Sequence, residues 1–229
     1  MVKRKPDQTA SLIAANNDAI AYLKMGDLNE SYSVLSEAVA TMQKLIREQP
    51  PKSTPFRYHF QWNDLTNSIA HCVLKSSEQS GLPFLFQRFI AVDMPKKQEI
   101  RANKLCPFGV CFVLHYNLAL VAHLLGIKKA KAGKSYLLEA KRLYGMVCAY
   151  VQSRRSSADY YTVLLMGIWN NTGCIYMDLD MEEQAKSCLD RLRKLLMNTR
   201  ASNSKMPGWR YFYLNLVILE KQRLLAAAA

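Results

Sequence analysis

The feature that most constrains the fold is one pattern that occurs three times, in which a helix is followed by a tight turn and a second helix. The three stretches cover residues 11–47, 106–153 and 160–198. In the first, Leu12, Ala19 and other small or apolar residues recur at three- and four-residue steps, which indicates one buried helix face. Gly26 stands where a helix end favours positive φ, and Asp27 stands where it caps the next helix. The sequence therefore predicts packed helix pairs.

These helix pairs resemble the tetratricopeptide repeat, which has small, aromatic and alanine residues at fixed positions. In the third stretch Gly173, Tyr176 and Ala185 stand at the glycine, tyrosine and central alanine positions of that repeat. In the first stretch Ala19 replaces the glycine, and Tyr22 matches the tyrosine. The resemblance implies an all-α, right-handed α-solenoid of about eight helices, which forms a single domain over residues 1–229. An ordinary irregular helical bundle is the alternative.

Residues 50–105 interrupt the helical pattern and are interpreted as an insertion. The two prolines at its start end the preceding helix. Residues 56–62 and 84–92 carry strand-like patterns, so we predict a two-stranded ribbon, with a weak helix over residues 63–79. Residues 207–225 are predicted to form a C-terminal capping helix. The four terminal alanines, 226–229, are interpreted as an artefact and left out of the fold prediction.

The predicted binding site lies on the first helix of each pair, which lines the concave face of a helical superhelix. Asn17, Asn117 and Asn171 occupy one equivalent position there. An asparagine amide accepts and donates at once, so it can hold an extended peptide backbone, and it can equally tie neighbouring repeats together. We predict a non-enzymatic scaffold or adaptor that binds a peptide or a partner subunit. The predicted partner-binding residues are Asn17, Asn117, Asn171, Tyr116, Asn170, His123 and Lys24.

The charge of the chain favours a second hypothesis. Its 31 Lys and Arg residues outnumber its 18 Asp and Glu residues, for a formal net charge of +13. More than half of this excess lies between residues 90 and 160, and a positive surface there would attract nucleic acid. The alternative function is therefore nucleic-acid binding by a basic surface. This surface consists of Lys96, Lys97, Arg101, Lys104, Lys128, Lys129, Lys131, Lys134, Arg154 and Arg155.

The sequence offers no catalytic, metal or cofactor site. Residues 128–135 end like a phosphate-binding loop, but the first glycine of that motif is missing and a helix precedes it. Cys106, Cys111 and His115 provide too few ligands at the spacing of structural zinc. No apolar run reaches the length of a membrane span, and no apolar segment follows the charged N-terminus. With six irregularly spaced cysteines, we expect reduced thiols in an intracellular protein, cytoplasmic or nuclear.

Overall fold

The computed structural model describes residues 8–48, 60–64, 85–93, 107–129, 132–153, 159–200 and 211–218, and within them the chain is mainly helical. This confirms the predicted all-α class at the level of helix content. The elements are α1 (Gln8–Lys24), α2 (Leu28–Glu48), β1 (Phe60–Asp64), β2 (Arg88–Val92), α3 (Pro107–Lys128), α4 (Gly133–Ser153), α5 (Asp159–Asp178), α6 (Glu182–Arg200) and α7 (211–218).

The chain divides into two compact units. Unit 1 comprises residues 1–70 and 87–143, and unit 2 comprises residues 71–86 and 144–229. Unit 1 therefore holds α1, α2, the two strands, α3 and the first half of α4. Unit 2 holds the second half of α4 together with α5, α6 and α7.

The first helical hairpin, α1–α2 in unit 1, turns through a Schellman motif. The amide of Asp27 donates to the carbonyl oxygen of Tyr22 at 3.0 Å, and that of Gly26 donates to the carbonyl oxygen of Leu23 at 3.0 Å. Gly26 has φ of 88°, which glycine adopts without steric cost. The Oδ1 atom of Asp27 accepts from the amide of Glu30 at 3.0 Å, which caps α2. The predicted turn and cap are both confirmed.

The second hairpin, α5–α6 in unit 2, repeats this turn with different residues. The amide of Met181 donates to the carbonyl oxygen of Tyr176 at 2.8 Å, and that of Asp180 donates to the carbonyl oxygen of Met177 at 3.0 Å. Asp180 takes the place of Gly26, with φ of 57°. Aspartate tolerates this left-handed conformation better than most residues do. The two hairpins thus share one hydrogen-bond pattern at their turns.

The helices pack through the faces that their sequences indicate. In α1 the side chains of Leu12 and Ala19 are buried, and in α2 those of Leu35 and Met42 are buried. Gly173 of α5 approaches α6 closely, since a Cβ atom placed on it would lie 3.5 Å from the Cβ of Cys188. That spacing is ordinary van der Waals contact, so an alanine fits there, whereas a larger side chain would have to displace α6.

The inserted residues contribute a two-stranded antiparallel sheet to unit 1. β1 pairs with β2 in a register that joins Phe60 to Val92 and Asp64 to Arg88. The predicted ribbon is present, although β1 begins later than the pattern at residues 56–62 indicates. Residues 63 and 64 belong to β1, and the rest of the predicted helix over 63–79 lies outside the described residues.

The most apolar helix is α3, and it corrects one expectation. Its segment Val110–Lys128 is long and apolar enough to cross a membrane, contrary to the prediction from the sequence. Its polar residues include His115, Asn117 and His123, which carry no formal charge at pH 7. The segment therefore still has the composition of a membrane-spanning helix. In the structure 89% of this segment is buried inside the protein, as in a core helix.

Candidate functional site

In unit 1, two asparagines bind the backbone of β2 through both ends of their amide groups. The Oδ1 atom of Asn117 accepts from the amide of Ile90 at 3.0 Å, and its Nδ2 donates to the carbonyl oxygen of Ile90 at 2.8 Å. Asn17 does the same with Val92, at 3.2 Å from the amide and 2.8 Å to the carbonyl oxygen. We call Asn16, Asn17 and Asn117 the unit 1 clamp.

Asn16 completes the unit 1 clamp and links its members. Its Nδ2 donates to the carbonyl oxygen of Ile90 at 3.0 Å and to Oδ1 of Asn17 at 3.2 Å. Its Oδ1 accepts from Nδ2 of Asn117 at 2.8 Å. Asn117 therefore makes two kinds of contact. It binds the extended backbone of β2, and it also joins α3 to α1. Buried amides linked in this way have their hydrogen-bonding capacity met, as burial requires.

The geometry of a strand explains why the clamp contacts alternate residues. The amide and carbonyl of one residue point to the same edge of a strand, and those of the next residue point to the opposite edge. Ile90 and Val92 turn these groups toward the clamp, which leaves those of Phe89 and Ala91 for the pairing with β1. β2 therefore has a β-strand on one edge and asparagine side chains on the other.

Unit 2 contains a second clamp of the same kind. The Oδ1 atom of Asn171 accepts from the amide of Phe86 at 2.8 Å, and its Nδ2 donates to the carbonyl oxygen of Phe86 at 3.1 Å and to the hydroxyl of Tyr144 at 3.0 Å. Asn170 donates to Oδ1 of Asn171 at 3.1 Å and accepts from Nδ2 of Asn215 at 2.7 Å. We call Asn170, Asn171 and Asn215 the unit 2 clamp.

The two clamps correspond residue by residue. Each contains two consecutive asparagines on the first helix of a hairpin, at the same distance before the turn. In each pair the first asparagine donates to Oδ1 of the second and accepts from an asparagine on another helix, Asn117 in unit 1 and Asn215 in unit 2. The second asparagine of each pair binds the backbone of one residue, which is Val92 in unit 1 and Phe86 in unit 2. The contact is therefore made to the main chain and not to a particular side chain.

The predicted partner-binding residues lie mostly in the interior. The side chains of Asn117, Asn170, Asn171, Tyr116 and His123 are fully buried, Asn17 is half-buried, and Lys24 is exposed. The clamps bring together Asn17 and Asn117 in unit 1, and Asn170 and Asn171 in unit 2. They bind β2 of the same chain in unit 1 and the backbone of Phe86 in unit 2. That these residues bind a partner stays a prediction.

Two titratable side chains of α3, Tyr116 and His123, are fully buried and neutral. Burial lowers the pKa of His123 to about 3, so its imidazole is neutral at physiological pH. Burial also raises the pKa of the Tyr116 hydroxyl far above its ordinary value, so that group is neutral too. Burial strengthens the hydrogen bonds of the clamp and makes an unpartnered amide there costly.

Two members of the clamps were not among the predicted binding residues. Asn16 lies deeper than Asn17 and contacts Ile90 instead of Val92, and its sequence signal is the recurrence of paired asparagines before the turn. Asn215 is buried on α7. Its sequence signal is that it stands alone between apolar residues, which indicates a buried amide that needs a partner. The bound segment itself is the insertion, which the sequence did not connect with the asparagines.

The described part of the predicted basic surface lies around the α3–α4 turn. Lys128, Lys129 and Lys134 are exposed there, and Nζ of Lys129 lies 3.2 Å from the hydroxyl of Tyr136 and 4.7 Å from the centre of its ring. The remaining members lie outside the described residues: Lys96, Lys97, Arg101, Lys104, Lys131, Arg154 and Arg155.

Two sequence motifs were compared with a phosphate-binding loop and with a zinc site, and the structure shows the contacts that their described residues make. Gly133, in the motif that resembles a phosphate-binding loop, packs against Gly126. A Cβ atom on Gly133 would overlap the carbonyl oxygen of Gly126. Nδ1 of His115 lies 2.8 Å from the carbonyl oxygen of Cys111, and Sγ of Cys111 lies 3.6 Å from that nitrogen. Among the residues that the structure describes, no group of three or more potential metal ligands is close enough to hold an ion. Cys106 lies outside that part of the chain.

Comparison with known proteins gives no relative from which to assign a function. No protein-family model, curated protein or solved structure matches the chain.

Proposed function

We propose that the protein is a non-enzymatic interaction scaffold, built from tetratricopeptide-like helix pairs, that binds an extended peptide or an extended segment of a partner subunit. The observation that carries this proposal is the two-point contact of Asn117 with the amide and carbonyl of Ile90. This contact recognises an extended main chain without requiring one side chain, as a peptide-binding scaffold needs.

The recurrence of the contact supports the repeat interpretation. Asn17 and Asn171 stand in two hairpins with the same turn, and each binds the backbone amide and carbonyl of one residue. Repeats that share a binding position are typical of solenoid proteins. The solenoid arrangement of the helix pairs is part of the proposal, as is an intracellular location, cytoplasmic or nuclear, which the four free cysteines among the described residues support.

The chemistry of the clamps supports binding over catalysis. Their polar groups are amides, which do not titrate between pH 2 and 12 and are neither acids nor nucleophiles in ordinary enzyme chemistry. With a pKa lowered to about 3, His123 is not a general acid at physiological pH and is only a weak base. Binding through such groups depends little on salt, because no ions are released.

A peptide-display selection against the full chain tests the proposal. We expect selected peptides to be extended, rich in alternating apolar residues and weakly dependent on salt. Asn17→Ala removes two hydrogen bonds to the bound backbone, so affinity is expected to fall about tenfold or more. The matched control is Asn198→Ala, since Asn198 is exposed on α6. Failure to select any peptide, or equal affinity in the two variants, would refute the proposal.

The exposed lysines at the α3–α4 turn favour nucleic-acid binding as the second candidate function. Lys128 ends α3, Lys129 follows it, and Lys134 lies in the first turn of α4. If they contact phosphates, the affinity for a nucleic acid will fall steeply between 50 and 200 mM salt. Changing all three lysines to glutamate is then expected to abolish binding, and an unchanged affinity would exclude this surface.

A further inference from the structure

We propose that β2 is a built-in ligand of the unit 1 clamp, and that the clamp exchanges it for an extended segment of a partner with a matching apolar pattern. The inference rests on the proposed function and specifies its ligand. The partner segment would carry apolar residues at the positions of Phe89, Ile90 and Val92, and no proline at the positions of Ile90 and Val92.

The required pattern follows from the contacts of β2. The side chains of Phe89, Ile90 and Val92 are buried, whereas Arg88 and Ala91 are half-buried. The first three positions therefore select apolar residues, and the other two accept a range of residues. The amides of Ile90 and Val92 donate to the clamp, and proline has no amide hydrogen to donate.

The clamp cannot stand empty. Asn16 and Asn117 are fully buried, and without a strand their amide groups lose their backbone partners. Each unpartnered buried polar group carries a large desolvation penalty. The clamp is therefore expected to pass from its own strand directly to another strand, without a long-lived open state.

The position of β2 in the chain makes exchange feasible. β2 lies in the insertion between α2 and α3, so it can leave the clamp without removing any part of α1, α2 or α3. The unit 2 clamp holds Phe86 by the same contacts, which shows that such a clamp accepts different residues. A tethered segment has an effective concentration of about millimolar, so a free peptide of equal intrinsic affinity competes poorly with β2. At rest the clamp is expected to hold β2.

The test weakens β2 alone and supplies a replacement. The full chain carrying Ile90→Ala is titrated with a fluorescent peptide that copies residues 87–94, while hydrogen exchange follows β2. Loss of the buried Ile90 side chain lowers the hold on β2, so the variant is expected to bind the peptide about thirty-fold more tightly than the unmodified chain does. The control is Leu196→Ala, which removes a buried side chain from α6 in unit 2 and is expected to give no gain.

A second peptide separates clamp binding from general apolar adhesion. Methylation of the backbone nitrogen at the position of Ile90 removes the donor to Asn117 and is expected to weaken binding at least about tenfold. Peptide binding should also speed hydrogen exchange in β2 and leave α1 and α3 protected. Binding without release of β2, equal binding of the methylated peptide, or no binding by a folded Ile90→Ala chain would each overturn the exchange.

Two further results keep the inference and the proposed function distinguishable. A display-selected peptide that binds while β2 stays protected overturns the exchange, and the comparison of Asn17→Ala with Asn198→Ala then decides the scaffold proposal separately. If Ile90→Ala does not fold, native-state hydrogen exchange of the unmodified chain decides the matter. Replacement of β2 by another strand requires the amide of Ile90 to open more readily than the core amides of α3, such as that of Leu120. Equal opening of these amides would overturn the inference.

Discussion

The amide group of Asn117 forms two hydrogen bonds with one residue, Ile90, accepting from its backbone N–H and donating to its carbonyl oxygen. Ile90 lies in the inserted strand and Asn117 lies in the apolar core helix α3, so this side chain is one of the three that attach the insertion to the helices of unit 1. The same Nδ2 atom also donates to Asn16 on α1. Removing this side chain therefore affects three elements together.

We expect Asn117→Ala to destabilise the protein by about 3 kcal/mol, because it leaves the amide and carbonyl of Ile90 and the Oδ1 of Asn16 short of partners in the interior. Urea denaturation followed by circular dichroism measures the change. The exposed Asn198→Ala variant serves as the control and should stay within about 0.5 kcal/mol of the unmodified chain. A loss below about 1 kcal/mol for Asn117→Ala would show that the clamp adds little to stability.

Two glycines of α4 are expected to respond in opposite directions to alanine. No atom lies within 4 Å of a Cβ placed on Gly145, so Gly145→Ala should stabilise the protein by about 0.5–1 kcal/mol through its better helix propensity. At Gly133 the new Cβ would overlap the carbonyl oxygen of Gly126, so Gly133→Ala should destabilise by about 2 kcal/mol or more. Thermal denaturation of both variants tests this, and equal shifts would contradict the close contact of Gly126 with Gly133.

Local sequence predicted the turns and the helix faces well because neighbouring residues determine them. Gly26 and Asp27 fix the first turn through backbone conformation and capping, which act over a few residues. The second turn uses Asp180 at positive φ, where a rule based on glycine alone has no signal. Its match to the first turn became evident only from the hydrogen bonds.

The contents of the clamps could not be predicted in the same way. The sequence indicated that Asn17, Asn117 and Asn171 were equivalent and suited to an extended backbone. It did not indicate that the backbone would come from the insertion, because that pairing joins segments far apart in the chain. Asn215 illustrates the same limit, since its partner Asn170 lies on a different helix and no local pattern connects them.

The four cysteines in the described part of the chain are expected to react slowly with alkylating agents while the protein is folded. Burial raises the pKa of Cys111 and of Cys188 to about 11 in each case, and it also raises the pKa of Cys148 and Cys174. Because the thiolate is the nucleophile, labelling by iodoacetamide at pH 8 should be about a hundredfold slower than in the urea-unfolded chain. Mass spectrometry of each cysteine peptide measures the rates, and fast labelling of Cys188 in the folded protein would contradict its burial.

The buried imidazole of His123 is expected to make the protein less stable in mild acid. Burial lowers its pKa to about 3 in the folded state, whereas the unfolded chain takes up this proton near pH 6.5. Between these values the unfolded state binds more protons, so stability is fully present above pH 6.5 and falls as the pH decreases. From pH 7 to pH 5 the loss due to His123 should be about 2 kcal/mol. Burial lowers the pKa of His115 as well, which acts in the same direction.

The variant His123→Gln separates this contribution from the rest of the acid response. Glutamine does not titrate, so the free energy of unfolding of the variant should fall by about 2 kcal/mol less than that of the unmodified chain over the same pH range. Urea titrations at pH 7, 6 and 5 give both curves. Parallel curves would mean that His123 takes up its proton equally well in the folded and unfolded states. In that case the interior around His123 would admit a charge.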